Sequence, residues 1–140
     1  MSRPLVVLDT NIVLDWLVFA DDSVGKLATA IGDGRLRWVA TASMRLEAER
    51  VLTRTEFVRW RPDVAACLAR WDSTAHTVAE PGAAPPGLRC TDPDDQKFID
   101  LAVAQRATWL VTRDRALLRL ARRALAHGVT VLPAQRWREG

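Results

Sequence analysis

Acids stand after two short apolar runs of the chain. Leu5-Val6-Val7-Leu8 leads directly into Asp9, and Trp109-Leu110-Val111 is followed by Thr112, Arg113 and Asp114. Aliphatic runs without polar alternation read as strands buried on both faces of a parallel sheet. Each acid therefore falls at the carboxyl end of a strand, where open α/β sheets place their ligands. Asp92, Asp94 and Asp95 open a helix around Pro93. Glu47 lies at the edge of a helical stripe made by Met44, Ala48, Val51 and Leu52. Singly, each acid has a structural explanation as an N-cap or as a carboxylate stabilising a first helical turn. Gathered at one end of a sheet they would repel one another and hold raised pKa values unless cations shared the site.

Divalent metal answers that repulsion. Hard carboxylate oxygens suit Mg²⁺ or Mn²⁺, whereas His76, His127, Cys67 and Cys90 show no spacing for zinc. Carboxylates with bound Mg²⁺ recur where phosphodiesters are cut. One ion there lowers the pKa of an attacking water, and a second, about 4 Å away, offsets charge on the leaving oxygen. The chain has no glycine-rich phosphate loop, no G-x-S-x-G turn and no cysteine placed near a histidine. An aspartyl-nucleophile phosphatase would want a second acid two residues after Asp9, where Asn11 stands.

Several elements must position these side chains. Ile12, Val13, Trp16 and Leu17 predict a helix over 11–19, with Asp15 on another face. Asp21 or Asp22 caps a second helix that Gly32 and Gly34 end. A strand follows at 36–40, and a helix at 42–52 carries Glu47, with Arg45 and Glu49 as an i,i+4 pair on its surface. A short helix with Phe57 buried runs through 53–60, and Pro62 opens another, with Val64, Cys67, Leu68 and Trp71 inward. The Pro- and Gly-rich stretch 80–91 is a loop. The helix after Pro93 turns Phe98, Leu101 and Ala102 to the core, an arginine-faced helix spans 116–126, a last strand 129–132, and a polar tail follows.

With 140 residues, 49% of them hydrophobic, the chain suits one domain over 1–140. No apolar run reaches the ~20 residues of a membrane span and no signal peptide is evident, so the expectation is a cytoplasmic protein with reduced cysteines. The formal charge of +3 is unevenly spread: residues 92–100 carry Asp92, Asp94, Asp95 and Asp100, whereas Arg113, Arg115, Arg119, Arg122, Arg123, Arg136 and Arg138 follow. An acidic focus beside an arginine-rich surface suits a metal-dependent enzyme with a phosphate-rich substrate, the arginines from Arg113 to Arg123 meeting RNA or an acidic partner.

Val-Leu-Asp9-Thr-Asn, Arg-Leu-Glu47-Ala-Glu-Arg-Val-Leu, Asp92-Pro-Asp-Asp95-Gln-Lys-Phe-Ile-Asp-Leu-Ala and Leu-Val-Thr112-Arg-Asp114, in this order, resemble the PIN-domain family over residues 4–132. The resemblance implies a three-layer α/β/α sandwich around a parallel sheet. It also implies metal-dependent ribonuclease activity, and the leading expectation is a single-strand-preferring or structure-selective endoribonuclease that cuts RNA by metal-activated water and leaves 5′-phosphate and 3′-hydroxyl ends. In many bacterial members it implies the toxin of a toxin-antitoxin pair, with an antitoxin protein as partner and a homodimer as assembly. Carried over residue by residue, Asp9, Glu47, Asp95 and Asp114 form the acidic quartet. Asp9, Asp95 and Asp114 hold the metal and Glu47 orients a metal-bound or attacking water. Asn11 and Thr112 support the site, Asp92 caps the helix or rims the pocket, and Asp94 points to solvent. The competing expectation is an RNA- or protein-binding module that kept the fold without useful catalysis.

Overall fold

The computed structural model describes residues 3–54 and 62–139. The helix expected through Phe57 lies outside the described residues. Five parallel strands form the sheet: β1 (Leu5–Leu8), β2 (Arg37–Ala40), β3 (His76–Thr77), β4 (Trp109–Val111) and β5 (Thr130–Leu132), in the spatial order β3-β2-β1-β4-β5. Val6 is in register with Trp38 on one side and Trp109 on the other, and Leu8 faces Val111. Val6, Val7, Leu110 and Val111 have no exposure at all. That is the burial on both faces that an aliphatic run without alternation predicts.

The connections fix the layers. α1 (Thr10–Leu17), a 3-10 turn at Asp22–Val24 and α2 (Gly25–Gly32) lead from β1 to β2, and α3 (Ala42–Leu52) and α4 (Val64–Thr74) lead from β2 to β3. α5 (Gln96–Ala104) precedes β4, and α6 (Arg115–Leu118) and α7 (Ala121–Leu125) precede β5. Right-handed crossovers that move outward from β1 through β2 put their helices on one face. Those that return to β4 and β5 put theirs on the other. The result is an α/β/α sandwich whose strand order reverses between β1 and β4, and that reversal opens a crevice at their carboxyl ends.

Tryptophans anchor both faces. Trp38 of β2 meets Trp71 of α4 with ring centroids 4.6 Å apart and Trp16 of α1 at 5.6 Å, both edge-on. Trp109 of β4 meets Trp137 at 5.4 Å. The segment after β5 is thus not a polar tail. Pro133 leads into a 3-10 turn at Ala134–Arg136 that delivers Trp137, 3% exposed, to the core.

Other departures have local causes. The helix expected at 116–126 breaks where Leu120 N–H bonds Leu117 C=O at 2.9 Å, a three-residue turn that tightens the spiral. Arg45 makes its bidentate ion pair with Asp72 of α4, at 2.7 and 2.8 Å, because α3 and α4 lie side by side. The 80–91 loop is pinned by α5: Gln96 accepts from Cys90 N–H at 2.6 Å and donates to Leu88 C=O at 3.0 Å, and Asp100 accepts from Ala84 N–H at 2.8 Å. Asp100 is therefore a structural acid.

Candidate active site

The crevice between β1 and β4 collects the acids. Asp9 follows β1 and caps α1, accepting Ile12 N–H at 2.9 Å through Oδ1. The cap does not exhaust it, since Oδ2 accepts the Thr112 hydroxyl. That same hydroxyl oxygen accepts Asp114 N–H at 3.0 Å, so Thr112, wholly buried, couples the ends of β1 and β4. Asp114 caps α6 through Ala116 N–H at 2.8 Å. Thr112 thus does more than line the site: it fixes the relative positions of both strand-end acids.

α5 does not start where the sequence suggests. Residues Pro93–Asp95 form a 3-10 turn, and the α-helix begins at Gln96. Asp92 is the residue that spends its side chain on capping, accepting Asp94 N–H at 3.0 Å. Asp95, at the N-cap of α5, makes no capping bond with its side chain. Its carboxylate turns instead toward Asp114, and one ligand oxygen from each of Asp92, Asp95 and Asp114 lies within 4.8 Å of the others. Asp95 Oδ2 is buried and has no hydrogen-bond partner among the described residues.

Electrostatics register the crowding. Burial pushes the Asp9 carboxyl up to about 6, against the opposing pull of the Thr112 hydroxyl, the Ile12 N–H and the Arg113 guanidinium. Burial and then the neighbouring Asp114 push Asp95 up to about 7, with Asp92 and Asp9 adding to the effect. Arg113 is held beside the site by Asp15, at 3.1 and 3.3 Å. Asp15 is 8% exposed, so its face of α1 is buried against this arginine rather than turned to solvent.

Glu47 reaches the crevice from α3, where both its oxygens are engaged. The Thr10 hydroxyl donates to Oε2, and Lys97 Nζ donates to Oε1 at 2.7 Å. Lys97 also donates to Asp94 C=O, which ties α3 to the first turn of α5. An open cleft of about 450 Å³ results, bordered by Asp9, Asn11, Glu47, Asp92, Asp94 and Asp95. Asn11 and Asp94 are both exposed on its rim. Sequence reasoning missed Lys97 as a site residue. Its signal was there, as the one cation within an acidic segment and two residues from Asp95.

The donor set fits a hard divalent cation. All candidates are carboxylate oxygens, one of them is buried without a partner, and two of the acids resist ionisation as they stand. Mg²⁺ or Mn²⁺ would be held by Asp95 and Asp114 together with Asp92 or Asp9.

Comparison with known proteins shows the family and the fold. No curated protein matches the sequence. Among solved structures, a chain of VapBC2 from Rickettsia felis, bound to a DNA fragment from their promoter, superposes with a TM-score of 0.59 at 12% identity, covering 91% of this chain and 96% of that one. PAE2754 from Pyrobaculum aerophilum superposes at 0.52 with 16% identity, covering 83% of this chain and 84% of that one. At these identities the likeness is one of fold. A family model described as the PIN domain matches residues 5–116, a span that holds both strand-end acids, Glu47 and the opening of α5. The chain belongs to the PIN-domain family, whose members are in general nucleases.

Proposed function

We propose that the chain is a Mg²⁺- or Mn²⁺-dependent endoribonuclease and the toxin of a toxin-antitoxin pair. The observation that carries the reading is the buried, unpartnered Oδ2 of Asp95 within the Asp92-Asp95-Asp114 cluster. Likeness of fold to VapBC2 supports the toxin assignment and an antitoxin partner, and we place its action in the cytoplasm. No helix among the described residues is long and apolar enough to cross a membrane.

The ion, when bound, supplies a lowered pKa for the attacking water and charge compensation for the leaving oxygen. The chain's residues do the rest. Asp9, Asp95 and Asp114 would hold it, and Thr112 keeps Asp9 and Asp114 in fixed relation. Glu47, clamped by Thr10 and Lys97, presents its remaining lone pairs to the cleft and orients the water for in-line attack on phosphorus. Water adds across the P–O bond, one product keeping a 5′-phosphate and the other a 3′-hydroxyl.

Purified protein is tested on a mixed single-stranded RNA with Mn²⁺, with EDTA and as Asp9→Asn. Cleavage that needs both metal and Asp9 is expected. Cleavage that survives EDTA, or that Asp9→Asn retains, overturns the assignment. If Mn²⁺ fails to bind in calorimetric titration, the binding-module alternative takes its place.

A further inference from the structure

At the amino ends of the strands the electrostatics are reversed. Arg3 precedes β1, Arg37 opens β2, and Arg106 lies between α5 and β4. All three border a cavity of about 620 Å³ together with Gln105 and Thr108, and no acidic residue lines it among the described residues. Arg35, Arg45 and Arg113, by contrast, are each paired with a carboxylate. The guanidinium groups of Arg3, Arg37 and Arg106 have no hydrogen bond or ion pair among the described residues, and neither the Gln105 side-chain amide nor the Thr108 hydroxyl is bonded there. Three uncompensated guanidinium groups around one cavity repel one another, and an anion with several oxygens would relieve that repulsion.

Arg106 supplies a further argument. It occupies the position just past the C-cap of α5 with φ 52°, where glycine is the usual residue. A β-carbon there is strained. A cation at a helix C-terminus offsets part of that strain through the helix dipole. The dipole accounts for neither Arg3 nor Arg37, which belong to other elements.

We infer that this cavity is a binding site for the phosphoryl chain of a free oligophosphate, from pyrophosphate to a nucleoside triphosphate. An RNA strand is the weaker candidate. Single-stranded nucleic acid is held by aromatic stacking platforms beside the cations, and the lining here has none. The site also lies at the opposite end of β1 from Asp9, roughly 16 Å away at ~3.3 Å per residue, so an anion bound here does not touch the carboxylates.

The test is calorimetric titration with inorganic pyrophosphate, in EDTA so that no metal at the carboxylates can bind it. Saturable 1:1 binding is expected. Arg37→Gln and Arg106→Gly should each weaken it about tenfold, and Asp9→Asn should leave it unchanged. Arg106→Gly relieves the left-handed backbone, so its melting temperature should not fall and lost binding cannot be blamed on misfolding. Absence of saturable binding, or binding indifferent to both arginine substitutions, overturns the inference. So does a short non-cleavable single-stranded RNA that depends on Arg37 and Arg106 where pyrophosphate does not, since that would make the cavity an RNA contact.

Discussion

The two ends of the sheet crowd like charges in different ways. At the carboxyl end, acids are woven into the fold: Asp9, Asp92 and Asp114 each cap a helical turn, and Thr112 bonds two of them at once. At the amino end the arginines are attached by their backbones alone and their side chains bond nothing. Acids that cap are held rigidly enough to meet a small ion with strict geometry, such as Mg²⁺. Long, unattached guanidinium stems suit a ligand that needs only charge and several oxygens. Rigidity at one end and adaptability at the other thus follow from how each charge is tied to the backbone.

Asp95→Asn tests that contrast hardest. Asp95 is the one acid of the cluster whose carboxylate makes no capping bond. Its substitution should lower Mn²⁺-dependent cleavage at least about a hundredfold, the loss expected when a ligand for transition-state charge is removed. In EDTA at neutral pH the same change should raise the melting temperature by about 3 °C, because a crowded charge is gone and no cap is lost. A drop in melting temperature would mean that Asp95 is structural like its neighbours.

Much of this end of the molecule was legible because strand-end acids follow from period and position. The runs before Asp9 and Asp114 announced the strands, and α3 runs over 42–52 as its pattern predicts. What stayed hidden was the form of the turn that carries the acids before α5, since Asp92 as a cap and Asp95 as a site acid were both expected. Nothing in Asp92-Pro93-Asp94-Asp95 says that Pro93 will head a 3-10 turn and delay the α-helix to Gln96. Trp137 was hidden for another reason: one aromatic among arginines has no periodicity, and only its partner Trp109 across the fold gives it a place.

The second test is pH. Asp9 and Asp95 have pKa values raised to about 6 and about 7 from an ordinary 3.8, burial being the main cause for both. Between pH 3.8 and 7 the native state therefore binds more protons than the unfolded chain, and stability falls as pH rises. Metal-free protein should melt at a higher temperature at pH 4.5 than at pH 7.5. Asp95→Asn should remove the decline between about pH 6 and 7 and roughly halve the slope below pH 6, where Asp9 still contributes. Mn²⁺ should oppose the decline in the native protein. A flat profile in EDTA would show the acids to be less confined than their burial implies.

Lys97→Met should have the smallest effect, and it separates two roles of one cation. The Lys97-Glu47 pair is about one-third exposed on each side, so its loss should cost less than ~1 kcal/mol of stability. If Lys97 acts by holding Glu47, kcat should fall about tenfold with KM and Mn²⁺ affinity unchanged, because an unclamped carboxylate orients water less well. Lys97→Arg would then recover part of the loss, a guanidinium still reaching Glu47 Oε1. If Lys97 instead meets the substrate phosphate, KM should rise, and more steeply at low salt, where an exposed charge is least screened. The first result would make Lys97 part of the woven, rigid end. The second would place at the carboxyl end the same loosely held, phosphate-seeking cation that the amino end carries three times over.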